Sequence, residues 1–180
     1  MNVVNRVNLD RLEDTGQKMM GDPNEAKKIT RIEGEWLLDA TEDPQFRAEI
    51  QTEKGTFSLE ADQPTSLGGE GTRPGPMHYC LYGVASCTAA TFATSAATEG
   101  VLLRKMSVTV ESHMDFSKTM GISENPIVEE VKLQIVIDTD AGDEKIQELR
   151  KLTEARCPAV FCLSTPVKMV VEVTREGQDG

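Results

Sequence analysis

Aromatic residues are scarce in this 180-residue chain, at 4%, with a single Trp. Its core must therefore rest on Val, Ile, Leu, Ala and Met. Histidine occurs only as His78 and His113, and there is no Cys-x-x-Cys. A structural zinc thus has no ligand spacing to use, and no metal is expected. Basic residues are in the minority: 19 Lys and Arg stand against 30 Asp and Glu, for a net charge of −11. That excludes the clustered positive surface a nucleic acid needs and disfavours an anionic membrane. The Gly-rich stretch GGEGTRPGP is not followed by Gly-Lys-Ser/Thr, so it is neither a P-loop nor a dinucleotide fingerprint. It reads as a turn that delivers the chain into the next element. No Ser/His/Asp arrangement stands at recognisable spacing, and no repeat of solenoid period occurs. The first ten residues lack an apolar h-region, so a secretory leader is not expected and a cytoplasmic location is. Four cysteines in such a setting are read as reduced, catalytic or merely buried rather than as a disulfide framework.

What the chain does have is one long, nearly uncharged run at residues 76–100, PMHYCLYGVASCTAATFATSAATEG. Pro76 suits a first helical position, and Gly100 suits a stop just past the last turn. About 24 residues at ~1.5 Å each make a rod of roughly 36 Å. With Glu99 as its only charged residue, such a helix is expected to be covered nearly all round. Its many small side chains, Gly83 and Ala89 among them, would let neighbouring backbone come close. It is too sprinkled with polar groups to read as a membrane span.

Strands are expected at 29–38, 46–51 and 57–61, with Glu53-Lys54-Gly55 as a hairpin turn. Two more follow at 106–116 and 127–138, where Val131, Leu133, Ile135 and Ile137 share a face. Residues 143–155 pattern as an amphipathic helix with Asp143 and Glu144 at its positive end. A short second helical turn is expected at 157–163 and a final strand at 166–174. Residues 8–20 can form a peripheral helix or a docking arm. The division is therefore an arm at 1–28 and one domain at 29–180. Strands arriving in hairpins predict an α+β fold with antiparallel sheets around a long helix.

Cys80 and Cys87, seven apart on one helix, are separated by ~10.5 Å of rise. That exceeds the ~7 Å between Cα atoms that a disulfide tolerates. Cys157 and Cys162 point about 140° apart on a helix. An intrachain redox pair must then take one cysteine from each segment. Cys87 with Cys157 is the favoured pairing, because Pro158 would place Cys157 at a helix start with free N–H donors. For Cys80 and Cys162 the reading as small buried hydrophobes is the stronger one, and it stays open for the other two.

Residues 67–92, LGGEGTRPGPMHYCLYGVASCTAATF, together with 155–166, ARCPAVFCLSTP, resemble the two cysteine segments of the OsmC/Ohr family. The likeness extends over about residues 29–174. It implies an OsmC-like fold: antiparallel sheets wrapped around long central helices in an intertwined homodimer. It implies thiol-dependent reduction of organic hydroperoxides with a dithiol reductant and no metal, heme or flavin cofactor. Cys87 would attack through a sulfenic acid and Cys157 would resolve it as a disulfide. Arg47, on an early strand, would hold the thiolate. Peroxidases of the family carry a Glu ten residues before the first cysteine, and Met77 stands there. Glu70 or His78 would have to substitute. That departure leaves a second expectation, a redox-sensing or small-ligand-binding protein on the same fold.

Overall fold

The computed structural model describes residues 1–38, 44–175 and 177. Its centre is α2 (Pro76–Thr98), with Pro76 in the first turn. Gly100 adopts φ +70°, and its N–H bonds to Ala97 O at 3.2 Å while Val101 N–H bonds to Ala96 O at 2.8 Å. This is a Schellman stop, and the left-handed step is why the residue is Gly.

Before α2 the chain makes β1 (Val3–Val4), β2 (Val7–Asn8), α1 (Leu9–Gly21), β3 (Glu33–Trp36), β4 (Phe46–Thr52) and β5 (Gly55–Ala61). The strands β3-β4-β5 form one antiparallel sheet in sequence order. Thr52 faces Gly55 across a two-residue turn, which fixes Arg47 opposite Glu60. Alternation and turn geometry together set that register. The β1–β2 hairpin turns through Asn5 and Arg6, both at positive φ. Asn5 also ties it down: its amide donates to Val101 O at 2.9 Å and accepts from Leu103 N–H at 2.9 Å.

After α2 come β6 (Leu103–Met114), β7 (Val128–Thr139), α3 (Asp143–Arg156) and α4 (Pro158–Ser164). The strands β6 and β7 pair antiparallel. Their apolar face meets α2 and α3 in the main core: Phe92, Ala96, Val101 and Leu149, with Met106, Ile135, Ile137 and Leu152 packed around them. The arrangement is mixed α+β with antiparallel sheets, as the hairpin pattern predicts.

Two expectations differ from the structure. The long helix is covered on one side only: Val84, Thr88, Phe92 and Ser95 are buried, while Tyr82, Gly83, Ser86 and Ala90 are exposed. One chain supplies β6, α3 and α4 to one flank and leaves the other uncharged and open. Residues 166–174 alternate as a strand would but pair with no strand among the described residues. Met169 is 83% exposed and Val173 94%. The strand pattern is in the sequence, but the partner edge it needs is not supplied among the described residues.

Candidate functional site

The path into the site is a knotted loop. Asp62 Oδ2 accepts from Thr72 N–H at 2.9 Å and from the Thr72 hydroxyl at 3.0 Å. The Thr72 N–H holds Asp62 below the usual carboxylate range against burial, and the hydroxyl helps. A Cβ on Gly69 would lie 2.0 Å from Gln63 O, so only glycine fits this fold-back. The loop feeds α2, whose start is fixed by His78: its Nδ1 accepts from Gly75 N–H at 3.1 Å.

Cys87 sits mid-way along α2. Cys157 sits between α3 and α4, where its N–H bonds back to Thr153 O at 2.9 Å. The helices α2, α3 and α4 pack together, and this closes a 70-residue separation in the chain: the two sulfurs lie 3.7 Å apart. Both are free thiols. The distance is van der Waals contact for a thiol pair, and a disulfide needs ~2.05 Å. Cys157 is 1% exposed, whereas Cys87 is half-buried.

The two sulfurs are solvated differently. Burial pushes the Cys87 thiol up, the N–H of Ala159 opposes this, and the Cys157 sulfur adds to the rise. Burial also acts against charge on Cys157, but hydrogen-bond donors outweigh it. The N–H of Val160 leads, followed by the Thr88 hydroxyl and the Cys87 thiol, and the net direction is down. Thr88 Oγ1 is 3.6 Å from Cys157 Sγ and is itself 1% exposed. Thr91 Oγ1 donates to Cys87 O at 2.9 Å. The main influences on this thiol pair are therefore neutral donors and burial rather than an arginine. Cys80 and Cys162 are exposed, and Cys162 adds a small upward push on Cys87.

Glu60 joins two arginines. Arg47 Nε and Nη2 each lie 3.2 Å from Glu60 Oε1, and Arg73 Nε lies 2.7 Å from Glu60 Oε2. The Arg73 guanidinium beside it holds Glu60 below the usual carboxylate range, with Arg47 adding to the effect. Tyr79 of α2 donates to Glu60 O at 2.6 Å, which ties the sheet to the start of the central helix. Glu70 is exposed in the loop, and His78 is engaged by Gly75.

The sequence reading passed over Thr88, Thr91, Glu60 and Arg73. Glu60 was recoverable: once the turn is placed, it stands opposite Arg47 as an opposite-charge cross-strand pair. Thr88 carries no such signal, because its value depends on where α4 lands.

A 250 Å³ cavity lies behind Thr88, lined mainly by Phe92, Leu133, Ile135, Ile146 and Arg150. A wider cavity of 580 Å³ opens beside Leu59, Pro74, His78, Tyr79 and Tyr82. Among the described residues no three His, Cys, Asp or Glu side chains converge as a metal site. Among the same residues no helix is long and apolar enough to cross a membrane.

Comparison places this geometry among known folds. An OsmC-like protein from Mycoplasma pneumoniae superposes with a TM-score of 0.56 at 21% identity, covering 77% of this chain and 89% of that one. An organic hydroperoxide resistance protein from Elizabethkingia anophelis gives 0.53 at 18%, covering 74% and 88%. An OsmC-like protein from Vibrio cholerae gives 0.52 at 11%, covering 74% and 92%. These likenesses show the fold. No curated protein matches in sequence. The model of the family described as OsmC-like protein matches residues 69–172, a span that holds both the Gly-rich loop and the two facing cysteines, and the chain belongs to the OsmC-like family.

Proposed function

We propose that the chain is a two-cysteine, thiol-dependent peroxidase that reduces organic hydroperoxides and is recycled by a dithiol. The observation that carries this is the 3.7 Å approach of Cys87 and Cys157, one half-buried and one enclosed. The half-buried sulfur of Cys87 takes the distal oxygen of the hydroperoxide. The O–O bond breaks, the alkoxide leaves, and Cys87 becomes a sulfenic acid. Cys157 then attacks that sulfur, forming the disulfide and releasing water. Arg47 and Arg73 both pair with Glu60. Arg47 is the candidate for steadying a thiolate.

The functional unit is a homodimer in this reading, located in the cytoplasm. Two features support the dimer: the uncharged open face of α2 at Tyr82, Gly83, Ser86 and Ala90, and the exposed apolar residues of 166–174. Sedimentation equilibrium should return about twice the 19.7 kDa chain mass. A monomer at micromolar concentration would remove the dimer from the proposal.

The function itself is tested by treating reduced protein with one equivalent of cumene hydroperoxide. Peptide mass mapping should find Cys87 joined to Cys157 in most of the molecules. A second reading, a redox-responsive protein without turnover, draws on the raised position of the Cys87 thiol. It predicts slow or incomplete linkage at the same dose.

A further inference from the structure

The 250 Å³ cavity behind Thr88 is a place the peroxidase reading leaves unused, and neither facing cysteine lines it. Its inner side is α2, at the buried Thr88 and Phe92. One wall is β7, where Leu133, Ile135 and Ile137 stand at every second position and so share a face. The other wall is α3, at the half-buried Ile146. An apolar cavity of about 150 Å³ takes up benzene, a six-carbon molecule. In proportion, 250 Å³ holds an alkyl chain of roughly eight to ten carbons.

The rim is polar and charged. Gln147, Arg150 and Glu154 form one exposed row along α3, at the three- and four-residue steps that place side chains side by side. Arg150 Nε donates to Gln147 Oε1 at 2.9 Å, and Arg150 Nη1 pairs with Glu154 Oε1. The Nη2 group makes no further bond among the described residues, so the arginine has donors to spare.

We propose that this cavity binds a medium-chain monocarboxylate, with the alkyl chain among Phe92, Leu133, Ile135 and Ile146 and the carboxylate on the Nη2 edge of Arg150. A guanidinium edge offers a carboxylate two parallel N–H bonds, which an ammonium cannot. A head group of higher negative charge is disfavoured, because the Glu154 carboxylate stands beside the same arginine. The site lies apart from the thiol pair but against its supports. Thr88 Oγ1 is 3.6 Å from Cys157 Sγ, and the Cys157 N–H bonds to Thr153 O at 2.9 Å, and both threonines line the cavity. An acid held here packs against two residues that position Cys157. The proposal does not rest on the peroxidase reading.

The experiment is isothermal titration calorimetry of reduced full-length protein with octanoate, 1-octanol, octylamine and acetate at neutral pH. Octanoate should bind saturably at one site per chain. Octanol should bind about tenfold more weakly, the loss expected for a hydrogen bond to a charged group. Acetate, with no chain to bury, should not bind. Arg150→Gln should remove the preference for octanoate over octanol. Ile146→Phe, which fills the space from its half-buried side, should abolish binding of both. The proposal is overturned if octanoate shows no saturable binding, if octylamine binds more tightly than octanoate, or if acetate binds as well. It is also overturned if Arg150→Gln keeps the native preference, or if folded Ile146→Phe binds octanoate as the native protein does. Should Ile146→Phe not fold, the ligand series and Arg150→Gln, an exposed position, decide alone. No peroxide enters the titration, so it can fail while turnover stands, or stand while turnover fails.

Discussion

Cys87→Ser should lower peroxidase turnover by on the order of a thousandfold or more, because a hydroxyl at neutral pH supplies almost no nucleophilic anion. The substitution is nearly isosteric, and Cys87 is only half-buried, so the fold should persist. The measurement is steady-state reduction of cumene hydroperoxide with a dithiol in excess. Cys157→Ser gives a different signature. Its Cys87 is still oxidised, but the sulfenic acid has no neighbour to close on, so a trapping reagent should capture it. Turnover then depends on the external thiol reaching Cys87 directly. A Cys87→Ser rate equal to the native rate would end the enzymatic reading and leave the redox-responsive one.

The second large effect concerns the core. Leu149→Ala should destabilise the fold by about 3 kcal/mol, within the range for deleting a buried leucine. Leu149 is 0% exposed and packs with Phe92, Ala96 and Val101 where α2, α3 and the β6–β7 sheet meet. Collapse around the gap is resisted because two rigid helices and a sheet border it. Urea unfolding at one fixed protein concentration would show a lower midpoint with an unchanged slope. Because α3 ends at Arg156 and carries Cys157 directly after it, loosening this contact should also slow disulfide closure. A midpoint within error of native would show that α3 is not held by this core.

The pattern of success in reading the sequence follows the range of the forces involved. Local signals were sufficient for α2: Pro76 starts it, and Gly100 stops it through a left-handed step. Alternation found β7 and most of β6, and the acidic first turn found α3. The strand expected over 29–38 shrinks to Glu33–Trp36, because pairing with β4 reaches only from Glu49 to Phe46. The β1–β2 hairpin was missed altogether, since two-residue strands carry no periodicity. The meeting of Cys87 and Cys157 rests on helix packing; helix spacing and Pro158 favoured the pairing, and the family resemblance added to it. Resemblance also pointed to Glu70 or His78 as keepers of Arg47. The cross-strand register pairs Arg47 with Glu60. The contact of Thr88 with Cys157 could not have been read at all, because it exists only once α4 lies against α2.

The unequal enclosure of the two sulfurs also imposes a direction on recovery. Once they are joined, an incoming thiol can approach only from the Cys87 side, because Cys157 lies sealed beneath the helices. In the proposed cycle the mixed intermediate would therefore form on Cys87, with Cys157 expelled. The burial that encloses Cys157 would then make it the leaving group when a dithiol restores the protein.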